Sequence, residues 1–155
     1  MTKPNPISDS YRRVTPALVV DGAAKAIEFY GEVFGTTERA RIPGPDGTVA
    51  HAEIVLGDSI LIVEDPSSYT STKAPAPGGL DGSPFFLYVY VEDVDATVAR
   101  AVELGATQVR APQDQFYGER DGFIIDPFGH GWTIASHVED VTPEEMMRRM
   151  AEMPS

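Results

Sequence analysis

The sequence predicts an α+β protein: two βαβββ modules forming a curved mixed sheet with a concave cleft, followed by a short C-terminal helix. Three observations predict it. One plan of strand, acidic corner, helix, glycine stop and new strand occurs twice, in "ALVVDGAAKAIEFYGEVFGTTERARI" and in "LYVYVEDVDATVARAVELGATQVRAP". After each helical stretch come three short alternating runs separated by turn signals. Between the copies lies "PSSYTSTKAPAPGGLDGS", too rich in Pro, Gly and Ser for a helix or a central strand.

Each element of the first module has its own signal. In "VTPALVV" Val14, Pro16, Leu18 and Val20 fall on one face and Thr15, Ala17 and Val19 on the other. Ile27, Tyr30, Val33 and Phe34 then recur at helical spacing, with Asp21 as the expected N-cap and Gly35 as a left-handed stop. Strands are expected over roughly 37–43, 49–57 and 59–64, broken by "PGPDG" and "GD". Within "HAEIVLG" alternation places His51 and Glu53 together, opposite Ala52, Ile54 and Leu56.

The second module repeats the plan. In "PFFLYVYVED" Phe85, Leu87, Val89 and Val91 suit a helix-covered face, whereas Phe86, Tyr88 and Tyr90 suit an amphipathic one. Val94, Val98, Ala101 and Leu104 mark the helix, Asp93 its N-cap and Gly105 its stop. Strands follow over roughly 107–112, 119–125 and 130–137, broken by "QFYG" and "DPFG". In "HGWTIASH" Trp132 and Ile134 face the core, and Gly131, Thr133, Ala135 and His137 the other side. His130, next to the "DPFG" turn, reads as a turn residue. The C-terminal "VTPEEMMRRMAEM" reads as a helix with Thr142 as N-cap, Pro143 at its first position and Glu145 completing a capping box. Met146, Met150 and Met153 would form a stripe packed against the body or a second subunit. The expected divisions are a tail over 1–11, modules over 12–66 and 84–138, a linker or arm over 67–83, and the C-terminal helix and tail over 139–155.

Composition narrows the function. A chain of 155 residues with 42% hydrophobic content can bury one core, or two small modules. Twelve basic against twenty-four acidic side chains give a charge of −12, which repels phosphate backbones and anionic membranes and favours cationic ligands. No nucleic-acid or membrane partner is expected. There is no cysteine, so a thiolate metal site and a cysteine nucleophile are excluded. The longest apolar run, "FFLYVYV", is far too short to span a bilayer, and no apolar leader opens the chain, so a cytoplasmic protein is expected.

Two βαβββ modules, "AIEFYGEVFG" in the first helix and "DPFGHGW" in the last hairpin resemble the vicinal oxygen chelate superfamily, which includes glyoxalase I, bleomycin-resistance proteins and extradiol dioxygenases. "YGERDGFIIDPFGHGWTIASHVEDVTPEE" looks like its PhnB-like, or glyoxalase-like, branch. The resemblance implies a divalent metal held by His and Glu on the cleft faces of the first and last strands of the modules. Those positions fall on Thr15, Phe86 and Thr133, with the fourth-strand carboxylate at Leu61 or Val63, give or take one residue. Hydroxyl, phenyl and alkyl groups cannot replace imidazole and carboxylate around a first-row ion.

The expectation is therefore a small-molecule-binding protein of the bleomycin-resistance type, with no metal and no cofactor, that sequesters an antibiotic or metabolite, cationic or planar. The alternative is a glyoxalase-like lyase, isomerase or dioxygenase with a non-standard or absent metal site, a relocated metal then using His51, Glu53 or His137. The candidate cleft residues are Thr15, Ala17, His51, Glu53, Phe86, Tyr88, Tyr117, Arg120 and Thr133. Each has a plainer reading. His51 and Glu53 could be a solvated pair, Phe86 and Tyr88 sheet packing, His137 a surface group, and Arg120 an internal ion pair. By resemblance a homodimer is expected.

Overall fold

The repeated βαβββ plan is present in the computed structural model, which describes residues 2–70, 72–76 and 83–154. The chain divides into two compact units, Met1–Ala76 and Pro77–Ser155. That boundary lies inside the stretch expected to link the modules. Part of the stretch, Ser71 and residues 77–82, lies outside the described residues; its described part carries neither helix nor strand.

In the first unit β1 (Ala17–Val19), α1 (Ala23–Phe34), β2 (Thr37–Pro43), β3 (Val49–Leu56) and β4 (Ser59–Glu64) follow one another. The strands form a sheet of order β1-β4-β3-β2, with β1 parallel to β4 and the other pairs antiparallel. Alternation decides the faces. Leu18, Val20, Ala52, Ile54, Leu61 and Val63 are buried, as are Ala23, Ala26, Ile27, Tyr30 and Val33 of α1, which contacts β3 and β4. Each large aliphatic side chain so buried contributes about 1.5–3 kcal/mol. Val14, expected on that face, is exposed because regular pairing starts only at Ala17.

The N-terminus of α1 corrects an expectation. Asp21 does not cap it; the cap position is Gly22, whose φ of 97° side-chain-bearing residues rarely adopt. The missing acceptor comes from the end of β4. One oxygen of the buried Asp65 carboxylate accepts from the backbone N–H of Gly22 (2.9 Å) and Ala23 (3.0 Å), and the other from that of Val49 (2.7 Å). A single side chain thus ties the start of α1 to the start of β3.

The second unit contains β5 (Leu87–Tyr90), α2 (Val94–Glu103), β6 (Thr107–Asp114), β7 (Glu119–Ile125), β8 (Gly131–His137) and α3 (Pro143–Ala151). Its sheet order is β5-β8-β7-β6, with β5 parallel to β8. Val89, Ile124, Trp132 and Ile134 are buried on the side that α2 contacts with Val94, Val98 and Ala101. Phe85 precedes the paired strand and is exposed rather than covered. Here the helix cap is local: Asp93 accepts from the N–H of Ala96 at 3.0 Å. Gly35 and Gly105 end the two helical segments with φ of 71° and 107°, as expected of left-handed stops.

The last hairpin turns on Asp126. Its buried carboxylate accepts from the N–H groups of Phe128 (2.9 Å) and His130 (3.0 Å) and from the indole Nε1 of Trp132 (2.9 Å). The aspartate therefore shapes the turn and fixes the tryptophan inward. In α3 the Thr142 hydroxyl accepts from the N–H of Glu145 at 3.2 Å, whereas the Glu145 carboxylate pairs with Arg148 and Arg149. No α3 side chain is fully buried; of the methionine stripe Met146 is half-buried and Met150 and Met153 are exposed. Among the described residues, no helix is long and apolar enough to cross a membrane.

Candidate functional site

Each unit has one sheet face turned away from its helix, and the candidate residues other than Arg120 distribute over or beside these two faces. In the first unit that face carries Ala17, His51, Glu53 and Ile62, the last aligned with both Ala17 and Glu53 in strand register. Glu53 is its centre, only 5% exposed. It accepts from the Tyr11 hydroxyl in a short hydrogen bond and from Arg39 Nε and Nη2, both at 2.9 Å, and pairs with His51 Nε2 at 2.8 Å. Tyr11, His51 and Arg39 together hold the carboxylate down to about 2, against the opposing effect of burial.

Arg39 also builds the cover. Its guanidinium lies 4.9 Å from the centroid of the Tyr11 ring, and its Nη1 donates to the Ser10 carbonyl at 2.7 Å. Arg12 Nε donates to the Asp58 carbonyl at 2.9 Å. The segment around Ser10–Arg12, expected as a tail with its end at residue 11, is thereby pinned against Glu53. His51 Nδ1 stands 3.7 Å from Glu64, so the imidazole lies between two carboxylates. The Thr15 hydroxyl donates to the Arg12 carbonyl at 3.0 Å.

The second unit presents aromatic surface instead. Phe86, Tyr88 and Tyr90 are 52%, 44% and 59% exposed. The Tyr88 and Tyr90 rings are 5.4 Å apart, and Phe86 meets Phe123 edge-on at 5.7 Å. Thr133, nearly buried, pairs in register with Tyr88 on one side and Phe123 on the other. A dimple of about 60 Å³ between Phe86, Phe123 and Gly131 is far smaller than a drug-sized cavity, so this face is a platform and not a closed pocket.

Beside the platform sits a buried carboxylate. Asp121, fully buried, accepts from Arg110 Nη1 (2.5 Å) and Gln115 Nε2 (3.0 Å), and from the Tyr117 hydroxyl in a short hydrogen bond. Burial, then the charge of Asp121, pushes the Tyr88 hydroxyl up to about 12. Burial and the hydrogen bond to Asp121 push Tyr117 up as well. Arg120 leaves the group: its Nε and Nη2 grip both oxygens of Asp95 at 2.7 and 2.8 Å, and its Nη1 reaches Asp114 at 3.1 Å. Asp95 lies in the first turn of α2, so Arg120 fastens the helix to the sheet. His137 bridges Glu119 (3.0 Å) and Asp140 (2.7 Å), which raises its affinity for a proton, Asp140 contributing most.

The divalent metal implied by the resemblance does not suit these residues. In the first unit its expected positions carry Thr15, whose hydroxyl is engaged with backbone, and Ile62, since Leu61 and Val63 turn into the core. In the second they carry Phe86 and Thr133. Among the described residues, no three His, Cys, Asp or Glu side chains come together as a metal-binding group.

Sequence reasoning missed Tyr11, Arg39, Arg110, Gln115 and Asp121. For Asp121 a signal existed, because alternation in "ERDGFII" puts it on the face of Phe123. Arg39 and Arg110 each adjoin a register break, between Glu38 and Ala40 and on both sides of Arg110, which re-aims side chains in a way no local pattern reveals.

The sequence model of the Glyoxalase/Bleomycin resistance protein/Dioxygenase superfamily matches residues 12–134. An uncharacterised protein of Mycobacterium bovis is 40% identical over 139 residues, covering 89% of this chain and 91% of that protein. The anthracycline biosynthesis protein DnrV of Streptomyces peucetius is 30% identical over 144 residues, covering 76% of this chain and 51% of DnrV. Among solved structures, TioX from Micromonospora sp. ML1 is similar with a TM-score of 0.61 and 25% identity, covering 84% of this chain and 100% of TioX.

Proposed function

The chain belongs to the Glyoxalase/Bleomycin resistance protein/Dioxygenase superfamily, and from that premise we propose that it binds a planar small molecule without a metal, sequestering an antibiotic or metabolite. One observation carries this reading. Phe86, just before the edge strand β5, and Tyr88 and Tyr90 within it hold large aromatic surfaces in water, at and beside a position where a metal enzyme of the superfamily would need a ligand. Stacking a flat ligand there removes apolar area from water and requires no metal. The relative DnrV is named for anthracycline biosynthesis, and an anthracycline is a flat polycycle of the kind such a platform stacks. The net charge of −12 disfavours a polyanionic ligand on approach and leaves the end-group preference to local contacts.

The alternative, acid–base catalysis at His51 and Glu53, has less support. A carboxylate held at about 2 by three partners is a weak base near neutrality and serves better to position Arg39 and Tyr11. The lack of cysteine suits a reducing cytoplasm, and the exposed methionines of α3 suit a homodimer contact.

The test is a fluorescence titration with an anthracycline after chelator treatment and dialysis. Saturable binding is expected, unchanged by added Mn²⁺ or Zn²⁺ and weakened about tenfold by Tyr88→Ala, the worth of one good aromatic contact. Binding or turnover that appears only with a divalent metal would overturn the reading, as would a Tyr88→Ala variant that binds like the parent.

A further inference from the structure

We propose that Arg110 is the specificity-determining contact of the aromatic face, and that it selects planar aromatic ligands bearing an oxygen acceptor in the ring plane, a carbonyl or a carboxylate. This inference rests on the stacking reading and narrows it.

Strand register supplies the placement. Arg110 of β6 pairs with Phe123 of β7, Phe123 with Thr133 of β8, and Thr133 with Tyr88 of β5, so these four residues form one row across the sheet. At about 4.8 Å per strand the row spans about 14 Å, slightly more than the length of a three-ring aromatic. A flat molecule lying over Thr133, the low point of the row, would rest on Tyr88 and Phe123 and bring one end to Arg110.

The guanidinium is already aimed. Its Nη1 donates to the carboxylate of Asp121 at 2.5 Å and to the Asp121 carbonyl at 3.2 Å. Gln115 and Tyr117 occupy further acceptor positions on that carboxylate, and Asp121 is fully buried, so the aspartate orients the arginine and is closed to ligand. Nε and Nη2 of Arg110 have no hydrogen-bond or ion-pair partner among the described residues, and its side chain is 37% exposed. That edge is the fork with which arginine grips paired or in-plane oxygen acceptors. Because Asp121 offsets the charge of Arg110, a neutral carbonyl is accepted as well as a carboxylate, whereas a cationic group at this end meets the guanidinium head-on.

Three fluorescent tricycles of similar shape test the proposal by anisotropy titration: acridone with a ring carbonyl, 2-anthracenecarboxylate with a coplanar carboxylate, and 9-aminoacridine with a cationic donor edge. Acridone or the carboxylate, or both, should bind about tenfold more tightly than 9-aminoacridine, and the tighter of the two identifies the acceptor. Arg110→Met alone would strand a buried carboxylate, so the decisive variant is Arg110→Met/Asp121→Asn, with its melting curve as the control for folding. It should erase the preference by weakening the acceptor probes about tenfold while leaving 9-aminoacridine within about twofold. Equal binding of all three probes, unaltered in the double variant, would overturn the role of Arg110 and leave stacking intact. Failure of every probe to bind, or no loss in Tyr88→Ala, would instead overturn stacking and this inference with it.

Discussion

The first unit covers the centre of its open sheet face with its own N-terminal segment, and the second leaves Phe86, Tyr88 and Tyr90 of the corresponding face exposed. Both bury one carboxylate there. Glu53 recruits Tyr11 from 42 residues away and Arg39 from 14, and the tyrosine's segment comes down over it. Asp121 finds Arg110, Gln115 and Tyr117 within 11, 6 and 4 residues, and nothing beyond its own loop and strands is needed. The helix caps differ in the same sense: α1 depends on Asp65, over 40 residues on, and α2 on its neighbour Asp93. One βαβββ scaffold can therefore use a face for internal cohesion in one copy and leave aromatic side chains of the corresponding face exposed in the other, with changes confined to a few side chains.

The difference between the caps makes the largest prediction. Asp65→Ala strands three backbone N–H groups in a buried setting and should cost about 3 kcal/mol in urea unfolding. Asp93→Ala loses one exposed cap bond and should cost about 1 kcal/mol. Equal losses would break the contrast between remote and local capping.

Acid should discriminate next. The folded value for Glu53 is about 2, below its ordinary 4.5, so its contribution is present above 4.5 and lost as pH falls from there through about 2. Glu53→Gln should flatten stability over that window, read as the difference between parent and variant melting curves. Identical acid limbs would mean that the Tyr11 cover does not depend on the carboxylate charge.

The smallest effect is expected at His137, whose folded value is raised above 6.5 by Asp140 and Glu119. Its contribution is complete below 6.5 and disappears as pH rises through the folded value. His137→Ala should therefore lower the melting temperature slightly at about pH 5.5 and leave it unchanged at about pH 9, because an exposed ion pair is worth little. A loss of the same size at both would show that the imidazole acts by packing and not by charge.

Much of the fold could be read without coordinates because its signals are local. Alternation and turn glycines placed β2, β3, β4, β6, β7 and β8 within about two residues of their ends. It also put His51 beside Glu53 and turned Trp132 inward. The errors have a common cause in contacts made at a distance. Asp21 looked like a cap because nothing nearby announced that Asp65 would arrive at Gly22. The segment before residue 12 looked like a tail because Tyr11 sits in no periodic pattern. Arg120, a candidate for the cleft with an internal ion pair as its plainer reading, makes that ion pair, with Asp95 on α2.

The sequence by itself determined the order of elements, the apolar face of each, the exclusion of thiol chemistry and the aromatic character of β5, because each follows from residue type and a period of 2 or 3.6. Tertiary structure decided which donors each buried carboxylate holds and hence which face stays open. Those choices depend on strand register, on the bulges beside Arg39 and Arg110, and on where a segment 42 residues from Glu53 lies down. Hydrogen bonds across such separations form only after the strands have paired, and a linear pattern carries no record of them.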